Sequence, residues 1–166
     1  MKKKILILGV TGQDGSLLAD YLTEKKYQVF GLIRKSSNRN YDNVKKVINK
    51  KNFRLLQGDL LDFISIENII RKIKPHEIYN FADQDHVRWS SQIPSYSFDI
   101  TARSVFSILN LIKIHSPKSK YFQPFSSNMF GDIKKTKINE QDSFTPLSVY
   151  ALSKVTAFYI CEYFKR

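Results

Sequence analysis

A single cysteine, Cys161, stands among 166 residues. An internal disulfide framework is thereby excluded, and a reducing compartment fits best. Cysteine and histidine form no cluster with metal-ligand spacing, so no metal site is expected. Long hydrophobic runs are missing too. Met1-Lys2-Lys3-Lys4 followed by Ile5-Leu6-Ile7-Leu8 faintly imitates a signal peptide, but the apolar stretch stops at Gly9, too short for an h-region or a membrane span. A cytoplasmic protein with no membrane partner is the expectation. Acidic residues are scarce, 15 against 27 Lys and Arg, for a net charge of +12. That excess is spread along the chain. No basic stripe interleaved with aromatics and no nucleic-acid motif accompanies it, so nucleic acid is not the expected partner. Internal repeats and low-complexity tracts are absent as well.

What is present is enough apolar material, 42% of residues, for one domain over 1–166 with a sizeable core. Apolar runs of strand length recur at 4–8, 28–33, 53–56, 77–81 and 120–125, with helical patterns between them. Strands alternating with helices predict an α/β fold built on a doubly wound parallel sheet of the Rossmann type. The clearest helix carries Val105, Ile108, Leu109 and Ile112, an i, i+3, i+4, i+7 stripe that ends before Ser116-Pro117. Leu17, Leu18, Tyr21 and Leu22 fall at helical spacing after the first strand. Loops are expected over 36–43 and 132–148, and a last helix from Ser148 or Val149. A doubly wound sheet continues from such a point, so the chain reads as the cofactor half of something larger, or a shortened version of it, with the substrate domain missing.

The first strand runs straight into Gly9-Val10-Thr11-Gly12-Gln13-Asp14-Gly15-Ser16. A glycine-rich turn between a buried strand and a helix cradles a pyrophosphate, because the backbone can approach closely and the free N–H groups of the helix favour an anion. Arg34 ends the second strand, where an acidic residue would meet the ribose hydroxyls of NAD. An arginine there favours a 2′-phosphate, with Ser36 and Ser37 as further donors, so NADP is the expected cofactor. Asp59 and Leu60 follow the third strand on the adenine side. Tyr150 and Lys154 lie on one helix face, and a cation beside a phenol favours phenolate. Ser126 ends the fifth strand and can donate to the same substrate oxygen. Taken singly, the glycines also fit a plain structural turn, Arg34 an exposed surface residue, and the Tyr-x-x-x-Lys spacing a bare helix face.

Together these residues resemble the extended short-chain dehydrogenases/reductases that act on nucleotide sugars, and within them the GDP-mannose 4,6-dehydratase family. The likeness runs nearly end to end. It takes in the GQDGS phosphate loop, Arg34-Lys35-Ser36-Ser37, Gly58-Asp59-Leu60, the stretch from Lys74-Pro75 through Phe81-Ala82-Asp83-Gln84-Asp85-His86-Val87, the run from Tyr121-Phe122-Gln123 to Phe130-Gly131, and Tyr150 to Lys154. The resemblance implies cofactor contacts from Gly9, Thr11, Gly12, Gln13, Asp14, Gly15, Arg34, Ser36, Asp59, Leu60, Phe81, Ala82, Gln84, Tyr96, Tyr150 and Lys154. It implies catalytic places for Ser126, Asn128, Tyr150 and Lys154, GDP-mannose as substrate, and homo-oligomers. Three departures stand out. The family places a glutamate where this chain has Asn128, and that glutamate removes the C5 proton. Asp83 and Asp85 stand where small or hydroxyl residues are usual. The carboxyl half that contacts the sugar nucleotide has no counterpart. A dehydratase that moves hydride from C4 to C6 is the leading expectation. An epimerase or reductase without the dehydration step, and a non-catalytic cofactor-binding module, are the alternatives.

Overall fold

The structure, a computed structural model, describes residues 2–36, 41–134 and 137–165. Five strands, β1 (Lys4–Leu8), β2 (Gln28–Ile33), β3 (Phe53–Gln57), β4 (Glu77–Asn80) and β5 (Lys120–Phe122), pair in the order β3-β2-β1-β4-β5. Every pairing is parallel. β1 is central because it is apolar on both faces: Ile5, Leu6, Ile7 and Leu8 are all buried, as a parallel strand covered on two sides requires. It pairs with β2 on one side and β4 on the other, so the strand order reverses at β1 and β4. Ligands of open α/β sheets bind in the crevice at the carboxyl ends of the strands, at such a reversal.

Helices α1 (Gln13–Glu24) and α2 (Phe63–Ile73) join these strands. Asp62 caps α2 by accepting from the Ser65 amide, Ile66, Ile70 and Ile73 form its buried stripe, and Lys74 ends it in the left-handed region just before Pro75. The expected apolar face of α1 is corrected by the structure. Leu18 packs partly buried and Leu22 is buried, but Leu17 and Tyr21 are 64% and 56% exposed. The inward face is instead Gly15, Ser16, Ala19, Leu22 and Thr23, and the small residues at 15, 16 and 19 let the helix lie close to the sheet. β5 is also shorter than the expected 120–125. It stops before Gln123, whose side chain turns into a buried polar network, and Pro124, which has no N–H for a ladder.

The chain forms two compact units, Met1–Ala82 with Asn110–Pro124, and Asp83–Leu109 with Phe125–Arg166. The sheet, α1 and α2 belong to the first. The second contains α3 (Val87–Ser90), α4 (Pro94–Phe98), a π-helical turn at Asp99–Arg103, the start of α5 (Ser104–His115), a 3-10 turn at Ser127–Phe130, and α6 (Val149–Lys165). The predicted stripe of α5 is buried. α6 begins where the sequence placed it, with the Ser148 hydroxyl accepting from the Ala151 amide. Phe125, Phe130, Phe144, Phe158 and Tyr159 pack as tilted and edge-on rings between 5.1 and 6.1 Å apart, fixing the 3-10 turn against α6. Among the described residues, no helix is long and apolar enough to cross a membrane.

Candidate functional site

In the first unit, the turn after β1 has the shape of an anion cradle. Gly9 sits at φ +75°, and a Cβ there would lie 2.8 Å from the Phe81 carbonyl group; at Gly15 it would lie 2.5 Å from the Gly9 oxygen. Neither position tolerates a side chain. Gly12 is the N-cap of α1 with no side chain capping it; its own amide donates to the Gly9 carbonyl at 3.0 Å, and Gly12, Gln13 and Asp14 are exposed at the start of the helix. Asn43 Nδ2 donates to the Thr11 carbonyl at 2.8 Å, holding the loop. Gly9 and Gly15 let the loop, the exit of β4 and α1 pack backbone against backbone, and the uncapped start of α1 beside them fits a pyrophosphate.

Arg34 and Ser36 are exposed beyond the carboxyl end of β2. Ser37 lies outside the described residues. Asp59 Oδ1 accepts from the Leu61 amide at 3.0 Å, while Leu60 is buried, so this loop is ordered by its own residues. At the end of β4, Asn80 is fully buried. Its Nδ2 donates to Gln123 Oε1 at 2.9 Å and to the Tyr121 hydroxyl at 3.0 Å, and its Oδ1 accepts from the Ala82 amide at 3.2 Å. Asn80, Tyr121 and Gln123 thus fix the course of Phe81 and Ala82. They are positioning residues that sequence reasoning quoted but gave no role; the available signal was a polar residue closing an apolar strand.

In the second unit, Tyr150 and Lys154 share the buried face of α6, with 8% and 3% of their surfaces exposed. Lys154 Nζ lies 5.7 Å from the centre of the Tyr150 ring. Lys154 also forms an ion pair with Asp83, whose side chain is buried with it. The Tyr150 amide donates to the Ser90 hydroxyl at 3.1 Å, so wholly buried Ser90 pins the helix turn that carries the phenol. Nothing in the sequence marked Ser90 for this.

Ser126 Oγ accepts from both the amide and the side-chain Nδ2 of Asn128, each at 3.2 Å. With two N–H groups directed at its oxygen, the Ser126 hydroxyl has its own proton to donate elsewhere. Gln84 is buried; its Nε2 donates to the His86 carbonyl at 3.2 Å, and its Oε1 has no hydrogen-bond partner among the described residues. A buried acceptor of that kind suits a ligand donor. Tyr96 is half-buried on α4, and Asp85 is exposed. Ser126, Asn128, Tyr150, Lys154, Gln84 and Tyr96 therefore all belong to the second unit, and the glycine loop, Arg34, Ser36, Asp59, Leu60, Phe81 and Ala82 to the first. Among the described residues, no three His, Cys, Asp or Glu side chains group as metal ligands.

These observations meet a consistent set of known proteins. GDP-mannose 4,6 dehydratase 1 of Arabidopsis thaliana is 40% identical over 166 residues, covering 94% of this chain and 46% of its own length. The GDP-mannose 4,6-dehydratase of Vibrio cholerae is 36% identical over 167 residues, covering 96% of this chain and 45% of its own. The chain therefore spans about half the length of these curated relatives. Among solved structures, the UDP-Glc/GlcNAc 4-epimerase of Campylobacter jejuni superposes with a TM-score of 0.90 over 98% of this chain and 49% of that one, at 18% identity, a likeness of fold. The family model described as GDP-mannose 4,6 dehydratase matches residues 6–166. On that match and those identities, the chain belongs to the GDP-mannose 4,6-dehydratase family.

Proposed function

We propose that this chain works as a nucleotide-sugar dehydratase of the GDP-mannose 4,6-dehydratase type, with NADP as cofactor and GDP-mannose as substrate. The observation that carries the reading is the Tyr150–Lys154 pair, buried on one face of α6 with the ammonium 5.7 Å from the ring. When bound, NADP supplies the chemistry of taking a hydride from C4 and returning it to C6. Everything else falls to side chains and backbone. The amides at Gln13, Asp14 and Gly15 hold the pyrophosphate, with Thr11 and Gly12 lining its approach while the Gly12 amide closes the loop onto the Gly9 carbonyl at 3.0 Å. Arg34 and Ser36 hold the 2′-phosphate, and Asp59 and Leu60 border the adenine. Phe81, Ala82, Gln84, Tyr96 and Lys154 serve the nicotinamide side. Tyr150 accepts the proton of the C4 hydroxyl, and Ser126 donates to the same oxygen, its proton turned outward by the two N–H groups of Asn128.

Loss of water across C5 and C6 also requires a base at C5. A carboxamide cannot serve, so C4 oxidation outpaces dehydration in this chain. Asn128 is also the observation that favours a second reading, an epimerase or reductase that never eliminates water. Two further elements of the proposal are a cytoplasmic setting and self-association. The second is supported by exposed Leu152, Tyr159 and Tyr163 along α6.

The test incubates the chain with GDP-mannose and NADP⁺ in deuterated water and follows the 4-keto-6-deoxy product and deuterium at C5. Asn128→Glu should raise dehydration by about 10²–10⁴-fold, the usual contribution of a positioned general base. Rapid dehydration by the parent would move the base elsewhere. A C4-epimeric or reduced product would establish the second reading, and failure to bind cofactor would overturn both.

A further inference from the structure

Asp83 is a carboxylate in direct contact with the one ammonium on the buried face of α6. The two side chains are 7% and 4% exposed, so the pair is shielded from water and salt. We propose that Asp83 sets how tightly the chain grips the nicotinamide end of its cofactor, by occupying the Lys154 ammonium that ribose hydroxyls would otherwise engage. The inference rests on the reading of Lys154 as a cofactor contact.

The argument is one of competition between acceptors. An ammonium offers three N–H donors, and a bond between two ionised groups is roughly twice as strong as one to a neutral hydroxyl. A ribose hydroxyl approaching Lys154 finds one of the three donors, and with it the direction of the ammonium, committed to a carboxylate that it cannot displace on equal terms. Asp83 therefore acts through Lys154 as a positioning residue. It stabilises the ammonium in the unliganded chain and removes part of the benefit that ligand binding would bring. The neighbouring carboxylate, Asp85, is exposed, and Asp99 faces Arg103 at 3.7 Å, so neither stands in for Asp83.

Substituting Asp83 thus has two effects of opposite sign. Asp83→Ala leaves a buried ammonium without its carboxylate, which lowers the stability of the free chain. It also returns the ammonium to the ribose, which raises affinity for the whole dinucleotide. A merely structural role for Asp83 would lower stability and affinity together.

The experiment is calorimetric titration of the chain, Asp83→Ala and Asp83→Asn with NADP⁺ and with adenosine 2′,5′-bisphosphate, which lacks the nicotinamide riboside, alongside thermal melts without ligand. The expected result is a lower melting temperature for Asp83→Ala, NADP⁺ binding tighter by about tenfold or more, as suits a regained bond to a charged donor, and bisphosphate binding unchanged within about twofold. Lys154→Met in the Asp83→Ala background should cancel the gain. If Asp83→Ala does not fold, Asp83→Asn decides: tighter NADP⁺ binding supports the proposal, and equal or weaker binding overturns it. A parent that binds the bisphosphate, with NADP⁺ affinity indifferent to Asp83, overturns this inference and leaves the cofactor reading standing. A parent that binds neither ligand overturns the cofactor reading, and this inference with it.

Discussion

Arg34 leaves β2 as an exposed guanidinium at the carboxyl end of the sheet, a planar fork of donors suited to a phosphomonoester. Arg34→Ala should therefore abolish a preference for NADPH over NADH, measured as the ratio of dissociation constants. Equal affinities in the unsubstituted chain would remove Arg34 from that role. Cys161 presents the opposite situation, an ionisable group suppressed rather than exploited. Burial, with Glu162 adding like charge, pushes its thiol up to about 11 from an ordinary 9.0. Only the thiolate reacts, so alkylation near neutrality should run about 100-fold slower than for an unburied thiol and quicken as pH rises toward that value. Iodoacetamide kinetics against the unfolded chain would check this, and equal rates would contradict it.

At the scale of elements, the turn between β1 and α1 separates two uses of glycine. Gly15→Ala sets a Cβ 2.5 Å from a backbone oxygen, so helix and strand must move apart, and a loss of about 1–3 kcal/mol is expected from such overpacking. Gly12→Ala meets its nearest atom, the Gly9 carbonyl oxygen, at 3.3 Å, a tight contact but a lesser one, so it should cost less stability than Gly15→Ala while weakening cofactor binding if the proposed phosphate approach is right. Thermal melts paired with NADPH titration distinguish the two; a stable Gly15→Ala would show that α1 does not need its close seat. This turn was legible in the sequence because everything that defines it lies within a few residues. So were the parallel strands, the stripe of α5 and the start of α6, whose periodicity and capping are local. The inward face of α1 was not, since Leu17 and Tyr21 look apolar while depth is decided by how near Gly15 and Ala19 bring the helix. Nor were the partners that fix the candidate site: Asn80 meets Gln123 across 43 positions, and Tyr150 meets Ser90 across 60. Such pairs are created by topology, and no spacing rule announces them. Asp83 was marked as a carboxylate out of place, but its partner Lys154 emerged only from the packing.

For the molecule as a whole, apolar surface is left uncovered in each unit. Phe122 on the last strand in the sheet order is 47% exposed, and Tyr159 and Tyr163 on α6 are 61% and 67% exposed. Surfaces of this kind favour contact between copies, against which a net charge of +12 works by mutual repulsion. Association should accordingly strengthen with both protein concentration and salt, and light scattering at rising ionic strength would follow it; a monomer unaffected by salt would count against self-association. The chain also contains one tryptophan, Trp89, 51% exposed, with its amide bound to His86 Nδ1 at 3.2 Å in the short helix that follows Asp83. All indole fluorescence from the protein therefore originates at a single point, six residues from the carboxylate paired with Lys154, within reach of a soluble quencher. Any ligand that rearranges that segment will report itself in emission colour and quenching, with no label attached.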